Sequence, residues 1–530
     1  MIPFTAPVED ILFSLRRVAD ASSLPGWDDE LAEGIVGHFA TFAEGVIAPL
    51  DEPGDRQGCG FENGRVRMPD GFGEAYAQLA KMGWQGLAAP ESLGGMGQGP
   101  LISAMVSEIF SGACHSLQMV CNLVPGAIAT LLKFGTEAQQ ATWIPRLASG
   151  HALSTMCLTE SGAGSDLSRI RTRATRQGDG GWRIDGEKVF ISGGDQNMSE
   201  DILHLVLART GTKDDGVKGL SLFLAGKSQA GSSIKVTRIE EKLGLHASPT
   251  CQMAFDATPA ELVGGEGEGL KAMFTVMNHA RLDVALQGVA HAARAFAIAS
   301  AYAAERTQGR RADGSDAVLA DHADVHRMLD EQRALALGAR AMVHVVLVEQ
   351  ARGGAEALAD FLTPVCKVFC TNAGISAADL GIQILGGYGY LTEYRVGQTW
   401  RDARITSIYE GANGIHALAT ATRGLRARQG AGAGAFDALI GRLSDHPEVT
   451  VLRQTWREAR GLISAAADPA PMAHDFTALT ATLFYRAIWA RFRAVSDDAD
   501  IVRLSGRVLS APLPVALPMK SAVGDAISAE

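Results

Sequence analysis

Leu31, Ile35, Phe39, Phe42 and Val46 recur at intervals of three and four, which places them on one face and predicts a helix ending at Pro49. The same period continues over Ala75 to Met82 and Leu101 to Ser111, interrupted by the turn-rich stretch 86–100. A buried helix is predicted from Pro125 to Phe134, with Gly135 as its cap. From about Ala152 the period changes to two. Trp182 and Ile184 precede an Asp185-Gly186 pair, Val189 and Ile191 follow it, and a hairpin turning at 185–186 is expected. Apolar strands over 202–210 and 219–227 come next, then two more in SIKVTRI and TCQMAFDA. Five or six short strands of this kind predict a small barrel or sandwich over about 155–262. Helical character returns at Gly269, with long helices expected over 269–307, about 320–350 and about 356–383, and a further one from Ile415. RQGAGAGA (428–435) reads as a flexible linker to helical pieces at 436–444, 449–466 and 473–495. The fold class predicted is α+β, mainly α: a helical N-terminal domain (1–154), a β domain (155–265), a helical bundle (266–427) and a C-terminal helical extension (436–530).

Composition narrows the class. The 530 residues are 47% hydrophobic and 20% charged, as in a folded enzyme rather than a disordered chain. A formal net charge of -11 speaks against a nucleic-acid binder and requires a local basic site for any phosphate-bearing ligand. The seven cysteines are scattered without a CxxC pair. Cys366 and Cys370, one helical turn apart, read as buried thiols, and a reducing, cytoplasmic compartment is expected. No run of eighteen consecutive apolar residues occurs, so no membrane span is expected, and no metal motif such as HExxH is present.

Four segments carry candidate chemistry. CLTESGAGSD (157–166) lies where helix gives way to sheet; its glycines permit close backbone approach, and Thr159 and Ser165 offer hydroxyls. Such a segment suits either a planar, polar-edged cofactor or an ordinary Gly/Ser turn. KVFISGG (188–194) spaces Phe190 and Ser192 by two, an aromatic and a hydroxyl that can flank a ring or simply fill a core. In QILGGYGYLTEY (383–394), Gly386 and Gly387 follow a helix, as a ligand contact or a helix cap. RDARITSIYEGANGIHA (401–417) holds Glu410 between Tyr409 and Gly411. By itself a Tyr-Glu-Gly turn is a solvated glutamate, but a carboxylate desolvated there beside an apolar chain would be a base with a raised pKa.

Taken in order and spacing, these four segments resemble the flavin-dependent acyl-CoA dehydrogenase family over roughly residues 30 to 425. TAPVEDILFSL, GDQNMSEDILHLVLAR, KLGLHASPTCQMAF and the C-terminal extension are similar to its 3-methylmercaptopropionyl-CoA dehydrogenase-like branch. The resemblance implies FAD-dependent α,β-dehydrogenation of an acyl-CoA thioester to the 2-enoyl-CoA, a step of fatty acid metabolism. FAD then lies at the junction of the domains and across a subunit contact. It implies that Glu410 is the base that removes the α-proton; the alternative helix position used by some relatives is Ala280 here, which cannot serve. It places Met156, Leu158, Thr159, Phe190 and Ser192 on the flavin. Arg306 and Gln308 fall on the segment that reaches the FAD of a neighbouring subunit, and Gln383 and Gly387 on the part that receives its adenosine-pyrophosphate end. Ser165, Asn278, Arg281, Tyr409 and Gly411 fall on the acyl-CoA substrate, whose pocket Met96, Tyr388 and Tyr390 help to shape. An electron-transfer flavoprotein is the implied electron acceptor and a homo-oligomer, with a dimer favoured, the implied assembly; neither nucleic acid nor membrane is expected as a partner. An acyl-CoA oxidase using dioxygen and an alkylation-response-type, DNA-associated flavoprotein share the pattern and stay open as alternatives. The chain departs from the family at Ser161 after Thr-Glu, in ERTQGR, which lacks a phenylalanine, and at Ala412, where a threonine is usual.

Overall fold

The computed structural model describes residues 2–512, and at Val276, Asn278 and His279 the backbone only. The chain divides into two compact units: residues 3–6 with 38–283, and residues 1–2 and 7–37 with 284 onward.

In the first of these, helices α1 (Asp29–Phe42, which enters the unit at His38), α2 (Pro100–Cys121), α3 (Leu123–Phe134) and α4 (Glu137–Ala148) precede the strands. Phe39 packs edge-on against Trp84 and Phe110. Thr136 and Gln139 close a reciprocal capping box at the start of α4. Pro49 does not end the first helical run. The chain passes through a wider turn (43–47) and a tight one (48–50), where Pro49 needs no intrahelical donor, and stays helical to Gln57. Gly135 caps α3 in an extended conformation, not a left-handed one, with its N–H on the Leu131 carbonyl at 2.8 Å.

The strands are β1 (Ala152–Cys157), β2 (Arg173–Arg176), β3 (Trp182–Ser192), β4 (Asp201–Arg209), β5 (Leu220–Gly226), β6 (Ile234–Ile239) and β7 (Thr250–Val263). They pair in the order β1-β4-β2-β3-β7-β5, and β5 returns to β4, closing a barrel with β6 added on β7. Val206, Phe223, Met253 and Phe255 fill its interior. The expected hairpin at Asp185-Gly186 is absent. β3 runs straight through, with a bulge between Ile184 and Gly186. Gly186 is needed there because a side chain would strike Thr172, its Cβ 2.6 Å from the Thr172 hydroxyl, and Asp185 is occupied by the Ala257 N–H. The true turn lies earlier, between β2 and β3 at 177–181.

The second unit takes the later part of α5 (Gly269–Glu305), then α6 (Ala323–Ala351), α7 (Glu356–Leu385), α8 (Val396–Thr406) and α9 (Asn413–Ala421). α5 and α7 approach closely at Gly288, where a Cβ would lie 2.3 Å from the Cys370 carbonyl. Cys366 and Cys370 are buried. Helices α10 (Ala431–Leu443), α11 (Pro447–Ala465), α12 (Ala473–Val495) and α13 (Ala499–Ser510) follow. The stretch 428–435 is not a linker. Its small residues let α10 start against α7, where a Cβ on Gly432 would meet the Ala357 carbonyl at 2.4 Å. Phe361, Phe436, Trp456 and Phe476 form one aromatic core across α7, α10, α11 and α12. The Asp330 carboxylate of α6 takes Arg503 and Arg507 of α13.

By length and composition, Asp29–Gln57, Ala323–Ala351 and Glu356–Tyr390 are long and apolar enough to cross a membrane. Mean hydropathy is a looser criterion than the unbroken apolar run used above, and 78% of the second window is buried inside the protein, as a bundle core requires.

Three buried histidines make stability depend on pH: His204, His344 and His291, the last pushed down by burial to about 4. Burial, reinforced by the Lys227 charge, pushes His204 down to about 3; burial, reinforced by Arg340, does the same to His344. Between these values and the ordinary imidazole range near ~6.5 the unfolded chain binds protons that the fold refuses, so stability rises with pH by up to about 1.4 kcal/mol per pH unit for each. Urea unfolding midpoints should therefore fall between pH 7 and pH 5. His344→Gln, which can keep the bond to the Ser14 hydroxyl, should flatten that slope by one proton; an unchanged slope would contradict the assignment.

Candidate active site

In the barrel unit the segment after β1 is fastened at Leu158, Thr159, Glu160 and Ala163. The Val189 N–H donates to the Thr159 carbonyl at 2.9 Å, and Glu160 and Ala163 exchange backbone bonds at 3.1 and 3.0 Å. The Lys188 ammonium, wholly buried on β3, donates to the Leu158 carbonyl at 3.1 Å and to the Glu160 carboxylate at 2.8 Å. That carboxylate also accepts the N–H groups of Arg171 and Thr172 at 2.7 and 3.0 Å. Burial works to raise the Glu160 pKa, but the Lys188 charge and these donors outweigh it and hold the carboxyl below its ordinary value. Sequence reasoning missed this pair. No local signal marks it: by strand alternation Lys188 shares a face with Phe190 and Ser192, opposite Val189 and Ile191, and only the fold buries it.

β3 slips against β7 between Lys188 and Ile191. The extra residue is Phe190, in a left-handed conformation (φ 60°) and 64% exposed. A bulge therefore re-aims the aromatic out of the barrel, where simple strand alternation had been expected. Ser192 is half-buried and paired with Thr250. Leu158 is buried, Met156 and Thr159 are half-buried, and Ser165 is exposed. An exposed flat ring, two hydroxyls and a rigid backbone loop form a donor set that fits the edge and face of a flavin ring. In the same unit the Arg281 guanidinium lies 5.7 Å from the Phe274 ring. Two residues on, Asp283 anchors α5 by accepting from Ser107, Gln118 and Asn122. The Asn278 side chain lies outside the described residues.

In the helical unit, α8 ends and the chain turns back with the Asn413 N–H on the Ser407 carbonyl. Glu410 and Gly411 both have positive φ, 53° and 95°. For a glutamate this conformation costs roughly 1–2 kcal/mol, so the surroundings must hold it. Two side chains grip the turn. His416 donates Nε2–H to the Glu410 carbonyl at 3.0 Å, and Lys367 donates to the Gly411 carbonyl at 2.8 Å. A Cβ on Gly411 would lie 2.8 Å from His416 Nε2, so glycine is required for space as well as for φ. Glu410 is half-buried with carboxylate oxygen Oε2 shielded from solvent, and the Tyr409 hydroxyl donates to Gln287. Tyr409 and Gly411 are half-buried beside it.

The same unit brings Arg306 to the glycine-rich segment: its guanidinium lies 5.5 Å from the Tyr388 ring, and Tyr388 meets Tyr302 and Tyr394. Gln308 sits on an exposed hairpin (Thr307–Arg310 with Asp316–Val318) pinned through its carbonyl to His322 at 2.7 Å. Gln383, at the last turn of α7, and Gly387 are exposed.

Models for the N-terminal, middle and C-terminal domains of acyl-CoA dehydrogenase match residues 30–151, 155–258 and 267–425. Over 440 residues, 78% of this chain and 75% of the relative, the sequence is 42% identical to the 3-methylmercaptopropionyl-CoA dehydrogenase of Ruegeria pomeroyi. The butyryl-CoA dehydrogenase structure from Megasphaera elsdenii superposes with a TM-score of 0.67 at 25% identity, covering 75% of this chain and 98% of that one. ACDH-11 of Caenorhabditis elegans, in complex with C11-CoA, matches at 0.79 and 19% identity over 96% and 92%, a likeness of fold that extends through the C-terminal helices. The chain belongs to the acyl-CoA dehydrogenase family, and with it to the oxidoreductases.

Proposed function

We propose that the protein oxidises an acyl-CoA thioester to its 2-enoyl-CoA with Glu410 as the base and FAD as the cofactor. The observation that carries this reading is the Glu410–Gly411 turn: a half-buried carboxylate held in a costly backbone conformation by two buried side chains. A solvated surface glutamate needs no such support.

Met156, Leu158, Thr159, Phe190 and Ser192 would hold the flavin ring. Gln383 and Gly387 would receive its adenosine-pyrophosphate end, and Arg306 and Gln308 would reach the FAD of a neighbouring subunit. Bound there, FAD supplies the hydride acceptor. The rest is the work of this chain. Glu410 removes the proton next to the thioester carbonyl, which is a weak acid until enolate charge is stabilised, and the Glu410 backbone N–H is assigned as a donor to that carbonyl oxygen. Arg281 and Asn278 bind toward the CoA end, and Ser165, Tyr409 and Gly411 line the substrate. The similarity to the Ruegeria pomeroyi enzyme favours a short or sulfur-bearing acyl group. An electron-transfer flavoprotein takes the electrons onward, and the chain works as a homodimer in the cytoplasm.

Glu410→Gln should keep yellow FAD and bind acyl-CoA yet lose anaerobic flavin bleaching by about 10²–10⁴-fold, the range a general base contributes. Full bleaching in that variant would refute the base. In the unmodified enzyme the limiting reduction rate should climb with pH through one ionisation, and stopped-flow traces of Glu410→Gln should show no such step. Lys188→Met should weaken FAD binding to the apoprotein by at least about tenfold, or ~1.4 kcal/mol, because the Leu158–Ala163 loop loses its anchor. Equal affinity in a fluorescence titration would show that the Lys188–Glu160 pair serves the barrel alone.

A further inference from the structure

The Lys367 ammonium is wholly buried in α7, at a position where an apolar side chain would fill the same space without desolvating a charge. It reaches the turn and the start of α9 that follows it. It donates to the Gly411 carbonyl at 2.8 Å and to Asn413 Oδ1 at 2.9 Å. The Asn413 amide donates in turn to Thr371 Oγ1 and Asn372 Oδ1, both at 3.1 Å, and the Thr371 hydroxyl donates to the Lys367 carbonyl at 2.8 Å. Lys367 and Thr371 are one helical turn apart, so α7 presents both to Asn413 from the same face. From the other side His416, buried in α9, holds the Glu410 carbonyl. The Gly411 and Glu410 carbonyls of the left-handed pair are thus each held by a buried donor.

We propose that Lys367, with Asn413 and His416, is the positioning device of the base: the buried ammonium fixes the Gly411 carbonyl and so keeps the Glu410–Gly411 turn in the conformation that aims the carboxylate. This rests on Glu410 being the base. Lys367 acts through the turn, by way of the Gly411 carbonyl. Losing it lets the turn relax, and a displacement of about 1 Å in the base costs on the order of 10²-fold in rate, while the substrate contacts assigned outside the turn, at Ser165, Asn278 and Arg281, stay as they were.

The test uses the FAD-loaded full-length protein in anaerobic single-turnover reduction by an acyl-CoA that bleaches the wild-type flavin, in ordinary and α-deuterated forms. Lys367→Met, Lys367→Gln and Asn413→Ala are compared with Glu410→Gln. Lys367→Met should lower the limiting rate about 100-fold, far more than it weakens substrate binding, and should enlarge the α-deuterium isotope effect. Lys367→Gln, which keeps one donor for the Gly411 carbonyl, should recover part of the rate. A Lys367→Met protein with full FAD content, wild-type rate and wild-type isotope effect overturns the proposal. Should Lys367→Met not fold, Asn413→Ala decides: a slowed rate with an enlarged isotope effect supports the device, and unchanged values overturn it. Glu410→Gln that still bleaches the flavin overturns the base itself, whereas an inactive Glu410→Gln beside an unaffected Lys367→Met removes only the positioning role.

Discussion

A glutamate does not rest in the left-handed region unless something holds it there, and that constraint organises the helical unit. The Glu410–Gly411 turn is gripped from α7 by Lys367 and from α9 by His416. Both gripping residues are buried, so their own positions are set by helix packing: α7 against α5 at Gly288 and Cys370, and α9 against α12, where the Thr477 hydroxyl donates to the Ala417 carbonyl at 3.3 Å. The conformation of two residues thus draws on the packing of four helices.

This gives the C-terminal helices a physical context. α10 to α12 share one aromatic core with α7 through Phe361, and α13 is tied to α6 by the Asp330–Arg503–Arg507 cluster. The Arg453 and Arg457 guanidiniums close on Asp437. Burial works against ionising that carboxyl, but the two partners prevail and hold it down to about 2. Arg453, Arg457, Arg503 and Arg507 are therefore already engaged by carboxylates of the same unit, an arrangement suited to internal cohesion rather than to gripping a polyanion.

The barrel unit solves a similar problem with the same chemistry. The loop after β1, proposed to meet the flavin, is held from behind. Lys188 and Glu160 do so from inside the protein, where a low dielectric strengthens their attraction and their remaining hydrogen-bonding capacity is met by the Leu158 carbonyl and by two backbone N–H groups. The bulge at Phe190 is the complementary device, turning one aromatic outward from a strand whose neighbours Val189 and Ile191 stay in the core.

Local sequence determined the fold class and nearly every long element: hydrophobic period marked the one-faced helices and the strands, and long apolar, alanine-rich composition marked helices buried on most sides, such as α6 and α7. The four ordered segments likewise determined the family and named Glu410. Tertiary structure decided what depends on partners distant in sequence. Asp185-Gly186 became a bulge because Thr172 packs where a side chain would stand, and 428–435 became a helix start because α7 demanded small residues there. Lys188 and Lys367 are ordinary lysines until the fold buries each one against a carbonyl it must hold, 30 and 44 residues away respectively. A local pattern can specify which face is apolar; only the packed chain specifies which backbone atom a buried charge will meet.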